Sequence, residues 1–152
     1  MVKIDDTDRK ILKILDENSR STYTDIAQEV GVSEATVRNR VHCLEKHNII
    51  KKYTIEFNPK DIGYDMVCIL GLNVKPQYIL EAVDQIRDFD EVRWAAKSTG
   101  DHMVMAEIWA RDTEELSKLI SEKIGKIEGV MDMKPAILLE KKDKKSVSIN
   151  PK

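Results

Sequence analysis

Residues 23–47, YTDIAQEVGVSEATVRNRVHCLEKH, admit few folds. Ile26, Ala27 and Val30 make a short stripe at helical spacing, and Val37, Val41 and Leu44 make a second at i, i+4, i+7. Between the stripes lies Gly31-Val32-Ser33. Gly31 suits the left-handed residue with which a chain leaves a helix, and Ser33 suits the N-cap of the next one. Two short helices joined by so tight a turn are a helix-turn-helix. The second helix turns Ala35, Asn39, His42 and Lys46 away from its apolar side, with Thr36 and Arg38 flanking them. A helix so divided packs by one face and is free to enter a DNA major groove by the other.

The charge distribution agrees. The chain carries a formal net charge of −2, so it does not coat nucleic acid by bulk charge. Within residues 33–53, however, Arg38, Arg40, Lys46, Lys51 and Lys52 outnumber Glu34 and Glu45. The basic patch coincides with the helix that would meet phosphates. Ser33, Ala35, Thr36, Arg38 and Asn39 lie at or near its N-terminal end, where base edges are reached. Arginine takes guanine bidentately, and asparagine takes adenine. Arg40 lies nearer the apolar side and is expected to hold a phosphate or a neighbouring acid. Lys51 and Lys52 are expected on backbone phosphate, and Glu34 and Glu45 to cap or pair within the fold.

Upstream, Ile11, Leu12 and Leu15 mark a helix over 5–17, capped by Asp5 or Asp6. Downstream, Asn48 ends the third helix, and 51–57 reads as a strand, which would make the motif winged. Asn58-Pro59-Lys60-Asp61-Ile62-Gly63 is turn chemistry and a boundary. The second half predicts strands over 65–74, 91–98, 102–110 and 130–140. Helices are predicted over 76–89 and 113–127, and Pro135 implies an edge position or a bulge. The order βαββαβ is ferredoxin-like. The fold class is therefore α+β: a winged helix-turn-helix at 1–57, a linker at 58–64, a ferredoxin-like domain at 65–141 and a charged tail at 142–152. Two helices cover one face of such a sheet. The face left open, expected to carry a stripe of Met66, Trp94, Met103, Met105 and Trp109, predicts a homodimer.

Cys43 and Cys68 have no spacing that implies a disulfide framework or a zinc site, and His42 and His47 fall on different sides of a helix. No metal and no cofactor is expected. No apolar run reaches membrane-spanning length, and the polar N-terminus is no signal peptide, so a cytoplasmic protein is expected. No nucleophile–base–acid set or phosphate loop is present, and catalytic residues are not expected.

Taken in order, Asp5 to Leu15, Ile26 to Glu45, Ile49 to Tyr53 and Pro59 to Tyr64 resemble the leucine-responsive regulator/asparagine regulator (Lrp/AsnC) family. Thr99-Gly100-Asp101 between two strands, and Gly129-Val130 before the last, resemble its effector-binding domain. The use of Ile, Lys and Glu points to an archaeal member. The resemblance implies a transcription factor that binds double-stranded DNA, dimerises through its C-terminal sheets and assembles into tetramers or octamers. It also implies a small effector, usually an amino acid, bound between dimers near Thr99, Gly100, Asp101 and His102. Backbone N–H groups at the Gly turn would hold its carboxylate and Asp101 its ammonium. Asp132, Met133 and Pro135 are candidates to line the same cleft. Met103 stands where many relatives carry a second Asp. An alternative reading is a chromatin-organising protein of low sequence preference without an effector.

Overall fold

The computed structural model describes residues 3–142. They fall into two compact units, one running to Glu56 and the other spanning Phe57–Lys141. The first holds three helices, α1 (Asp6–Glu17), α2 (Tyr23–Val30) and α3 (Glu34–Lys46). Each begins on a side chain that satisfies an otherwise unpaired N–H. The Asp5 carboxylate accepts from the Asp8 N–H at 2.9 Å while Asp8 accepts from the Asp5 N–H at 3.1 Å, a reciprocal capping box. Thr22 caps α2 through Asp25 N–H, and Ser33 caps α3 through Thr36 N–H, both at 3.1 Å. Gly31, at φ 81°, closes α2, and Asn48, at φ 55°, follows the end of α3. Ile11, Ile26, Ala27, Val37 and Val41 pack into one core. Full burial of such side chains stabilises by about 1.5–3 kcal/mol each, which fixes the face that α3 turns inward.

Lys51–Phe57 does not form the expected strand. A strand needs a neighbour to take its backbone hydrogen bonds, and among the described residues this unit supplies none. The apolar alternation is there, but Ile55 is 76% exposed. Tyr53 instead fastens the segment to α3, its hydroxyl donating to Glu45 Oε1 at 2.8 Å.

In the second unit a short 3-10 turn, Pro59–Ile62, leads into β1 (Met66–Val74), α4 (Ile79–Arg87), β2 (Val92–Lys97), β3 (Val104–Ala110), α5 (Thr113–Lys118) and β4 (Val130–Ile137). The strands form one antiparallel sheet in the order β2-β3-β1-β4. The α+β class and the βαββαβ order are as expected. Cys68, Leu70, Leu72 and Val74 of β1 join Val104, Ala106, Ile108 and Ala110 of β3 in a core with Ala82, Ile86, Leu116, Leu119 and Ile124. Met66 packs against this core, on the side of Cys68 and Leu70, so it does not belong to the expected open-face stripe. The other face carries Val67, Ile69 and Gly71 of β1 beside Trp109, Glu107 and Met105 of β3. The indoles of Trp94 and Trp109 both donate to Glu107, at 2.7 and 2.6 Å.

Both helices are shorter than the periodicity predicts. Pro76–Tyr78 is a 3-10 turn ahead of α4, and α5 passes through a π turn, Leu119–Lys123, into a 3-10 turn, Ile124–Lys126. At Gly125 an added Cβ would lie 3.1 Å from the Ile120 carbonyl oxygen and from Met133 Cε, so the irregular turn brings backbone close against β4. Pro135, which has no N–H to donate, lies on the edge strand β4 opposite Leu70.

Candidate nucleic-acid interface and effector loop

Ser33, Ala35, Arg38 and Asn39 are exposed on one side of α3 while Val37, Val41 and Leu44 are buried on the other. Thr36 is half-buried beside Ser33, their hydroxyls 2.8 Å apart. Lys51 and Lys52 follow α3 in the extended segment, exposed, along a cleft that also includes Leu12, Leu15, Ile49 and Ile55.

Arg40 is engaged differently from its neighbours. Its Nη1 lies 2.8 Å from Asp5 Oδ2 and 2.9 Å from Asp8 Oδ1, so of the two roles expected it holds acids, joining α3 to the start of α1. The backbone N–H of Asp8, and then the Arg40 guanidinium, hold the Asp5 carboxyl below its ordinary range. The same contacts, led by the bond to Asp5, raise Arg40.

Arg38 is also paired. Its Nη2 lies 2.7 Å from Glu34 Oε1, and Glu34 Oε2 accepts from Thr24 Oγ1 at 3.0 Å. The guanidinium lies over the Tyr23 ring, 5.2 Å from its centroid. Arg38, and then Thr24, lower the Glu34 carboxyl from its usual range. The Glu34–Arg38 pair is legible at i, i+4 spacing, whereas Tyr23 and Thr24 enter only when α2 and α3 pack.

Burial, and then the Glu45 carboxylate, push the Tyr53 hydroxyl up to about 12. His47 Nδ1 lies 2.8 Å from the Cys43 carbonyl oxygen. Among the described residues no group of three or more His, Cys, Asp or Glu side chains is placed to hold a metal ion.

In the second unit Thr99, Gly100 and Asp101 form an exposed turn between β2 and β3, with Gly100 at φ 112°. The turn is closed by Ser98 N–H donating to the Met103 carbonyl oxygen at 2.9 Å and by the Ser98 hydroxyl donating to the His102 carbonyl oxygen. Met103 N–H donates to the Leu72 carbonyl oxygen at 3.0 Å, tying the loop to β1. The His102 ring lies on Gly71, where an added Cβ would come within 2.6 Å of its Cγ. Its Nδ1 is buried without a hydrogen-bond partner among the described atoms.

Asp132 pairs in register with Asn73, and Lys134 with Gly71, so both share the open face with Gly71; they form an ion pair at 3.2 Å. Met133 and Pro135 pair with Leu72 and Leu70 and so lie on the helix-covered face. The structure thus divides the expected effector set. Asp132 shares the open face with Gly71, on which His102 lies, whereas Met133 and Pro135 point the other way because neighbours on a strand alternate. Gly71 and Lys134 were not expected from the sequence.

A helix-turn-helix with the outer face of its third helix exposed, joined in one chain to a sheet domain with a structured loop at one end, defines a DNA-binding regulator. Comparison with known proteins agrees. Residues 4–45 match the AsnC-type helix-turn-helix domain, and residues 67–147 match the Lrp/AsnC ligand binding domain. The HTH-type transcriptional regulator LrpA of Pyrococcus horikoshii is 49% identical over 91% of this chain and 98% of its own length. Ptr1 of Methanocaldococcus jannaschii, also an HTH-type transcriptional regulator, is 36% identical over 90% of this chain and 92% of its own. The Escherichia coli AsnC structure superposes with a TM-score of 0.85 at 28% identity, covering 97% of this chain and 99% of that one. A transcriptional regulator from Neisseria meningitidis, solved in complex with L-Met, shares the fold at a TM-score of 0.84 and 22% identity, covering 93% and 94%. The chain belongs to the Lrp/AsnC family of transcriptional regulators, which are not enzymes. Among the described residues no helix is long and apolar enough to cross a membrane.

Proposed function

We propose that this chain is a one-component regulator that recognises a defined DNA sequence and responds to a small effector, an amino acid in the first instance. The observation that carries the reading is the division of α3, with Val37, Val41 and Leu44 locked in the core and Ser33, Ala35, Arg38 and Asn39 presented outward. Arg38 and Asn39 read base edges, while Lys51 and Lys52 hold phosphate. The protein acts in the cytoplasm as a homodimer on paired half-sites, and the dimers assemble into tetramers or octamers. The open sheet face around Val67, Ile69, Trp94, Met105 and Trp109 is the dimer surface. The effector lies between C-terminal domains, with Thr99, Gly100, Asp101 and His102 on one side and Asp132 beside them. The L-Met complex of the Neisseria regulator, which shares this fold, supports an amino acid as the class. An effector shifts DNA affinity only as far as it binds one assembly better than another.

The test is size-exclusion chromatography with light scattering, run with each proteinogenic amino acid in turn and followed by DNA binding with the same panel. One or a few amino acids are expected to change both the mass and the DNA affinity. A mass and an affinity indifferent to every amino acid would overturn the amino-acid reading.

A further inference from the structure

Resting on the DNA-binding reading of α3, we propose that Glu34 and Tyr23 are positioning residues. They hold Arg38 in the pose that reads a G·C pair and keep it from serving as a general phosphate contact.

An exposed i, i+4 ion pair on a helix ordinarily contributes little and fixes nothing. This pair differs because both partners are held again from α2. The Glu34 carboxylate takes Arg38 Nη2 on one oxygen, at 2.7 Å, and the Thr24 hydroxyl on the other, at 3.0 Å. The guanidinium plane is supported from another direction by the Tyr23 ring. Tyr23 and Thr24 open α2, and Glu34 opens α3, so the N-terminal turns of both helices act on one arginine. Glu34 takes only one edge of the guanidinium, and the rest of the fork stays available to the O6 and N7 acceptors of guanine. A phosphate can also take the guanidinium fork, but binding to arbitrary DNA draws chiefly on net positive charge, and the carboxylate at 2.7 Å offsets part of it. The arrangement therefore lowers affinity for arbitrary DNA and favours a target that matches the geometry of the fork.

The full-length protein is used to select duplexes from a randomised pool. Affinity is then measured on the selected duplex, on each single-base-pair variant of it and on an unrelated duplex, at low and moderate salt. Arg38→Ala locates the base pair that Arg38 reads. Glu34→Gln is expected to lower the penalty for replacing that G·C pair by about tenfold. It should also raise affinity for the unrelated duplex and steepen its salt dependence by about one phosphate contact. Tyr23→Ala should lower the same penalty without the gain in charge-driven binding. Glu29→Gln, which removes the same charge from the exposed side of α2, serves as the control and should leave the penalty at its wild-type value. Thermal unfolding of each variant confirms that it is folded. A Glu34→Gln protein that shifts all duplexes by one factor, or that keeps the wild-type G·C penalty, overturns the proposal. A pool that returns no preferred sequence overturns it together with the sequence-specific reading on which it rests.

Discussion

Arg40 and Asp8, far apart in sequence, meet at 2.9 Å where α3 crosses the start of α1, and Asp8 is largely buried there. Arg40→Ala leaves that carboxylate without its cation. We expect a loss of about 1–3 kcal/mol in urea unfolding of the N-terminal unit. The base-pair preferences of the folded fraction should be retained, because the Arg40 guanidinium is engaged by Asp5 and Asp8. A variant as stable as wild type but with altered preferences would place Arg40 among the base contacts.

The same junction fixes a pH dependence. The folded Asp5 carboxyl is depressed by the Asp8 N–H and by Arg40. A depressed carboxyl contributes stability that is fully present above its unfolded value, near 4, and is lost as pH falls through the lower folded value. The stability gap between wild type and Arg40→Ala should therefore be constant from about pH 7 to about pH 5 and shrink below about pH 4. Parallel urea titrations across that range check it, and a gap that widens on acidification contradicts it.

Gly71 makes room for the His102 ring. Gly71→Ala forces the imidazole off the sheet or strains β1, at a cost of about 1–3 kcal/mol by thermal unfolding. If His102 belongs to the effector site, ligand affinity in calorimetry should fall further than it does for a variant of equal stability loss elsewhere in the sheet.

Val67 sits on the open face opposite Trp109. If that face is covered by a second copy, Val67→Asp buries an uncompensated charge and should weaken self-association by about a hundredfold or more. Sedimentation equilibrium measures this directly, and an unchanged dimer would move the interface elsewhere.

Local chemistry was legible in the sequence, and long-range pairing was not. Asp5, Ser33, Gly31 and Asn48 mark helix ends because each satisfies a backbone group or accepts a left-handed conformation by itself. Lys51–Phe57 alternates like a strand, but pairing depends on a neighbour that alternation does not supply. Asp132, Met133 and Pro135 share the last strand, but a period of two sends Met133 and Pro135 to the face opposite Asp132. Arg40 with Asp5, and His102 with Gly71, are contacts between distant segments, and nothing local to either partner announces the other.

The division of labour on and after α3 is tested most directly by comparing Arg38→Ala with Lys51→Ala on the selected duplex and all its single-base-pair variants over a range of salt. Arg38→Ala should abolish discrimination at particular base pairs, a loss of about 1–3 kcal/mol there. Lys51→Ala should weaken every duplex alike and reduce the salt slope by about one. Two variants with the same profile across sequence and salt would contradict the assignment of α3 as the reader and of Lys51 as a phosphate contact.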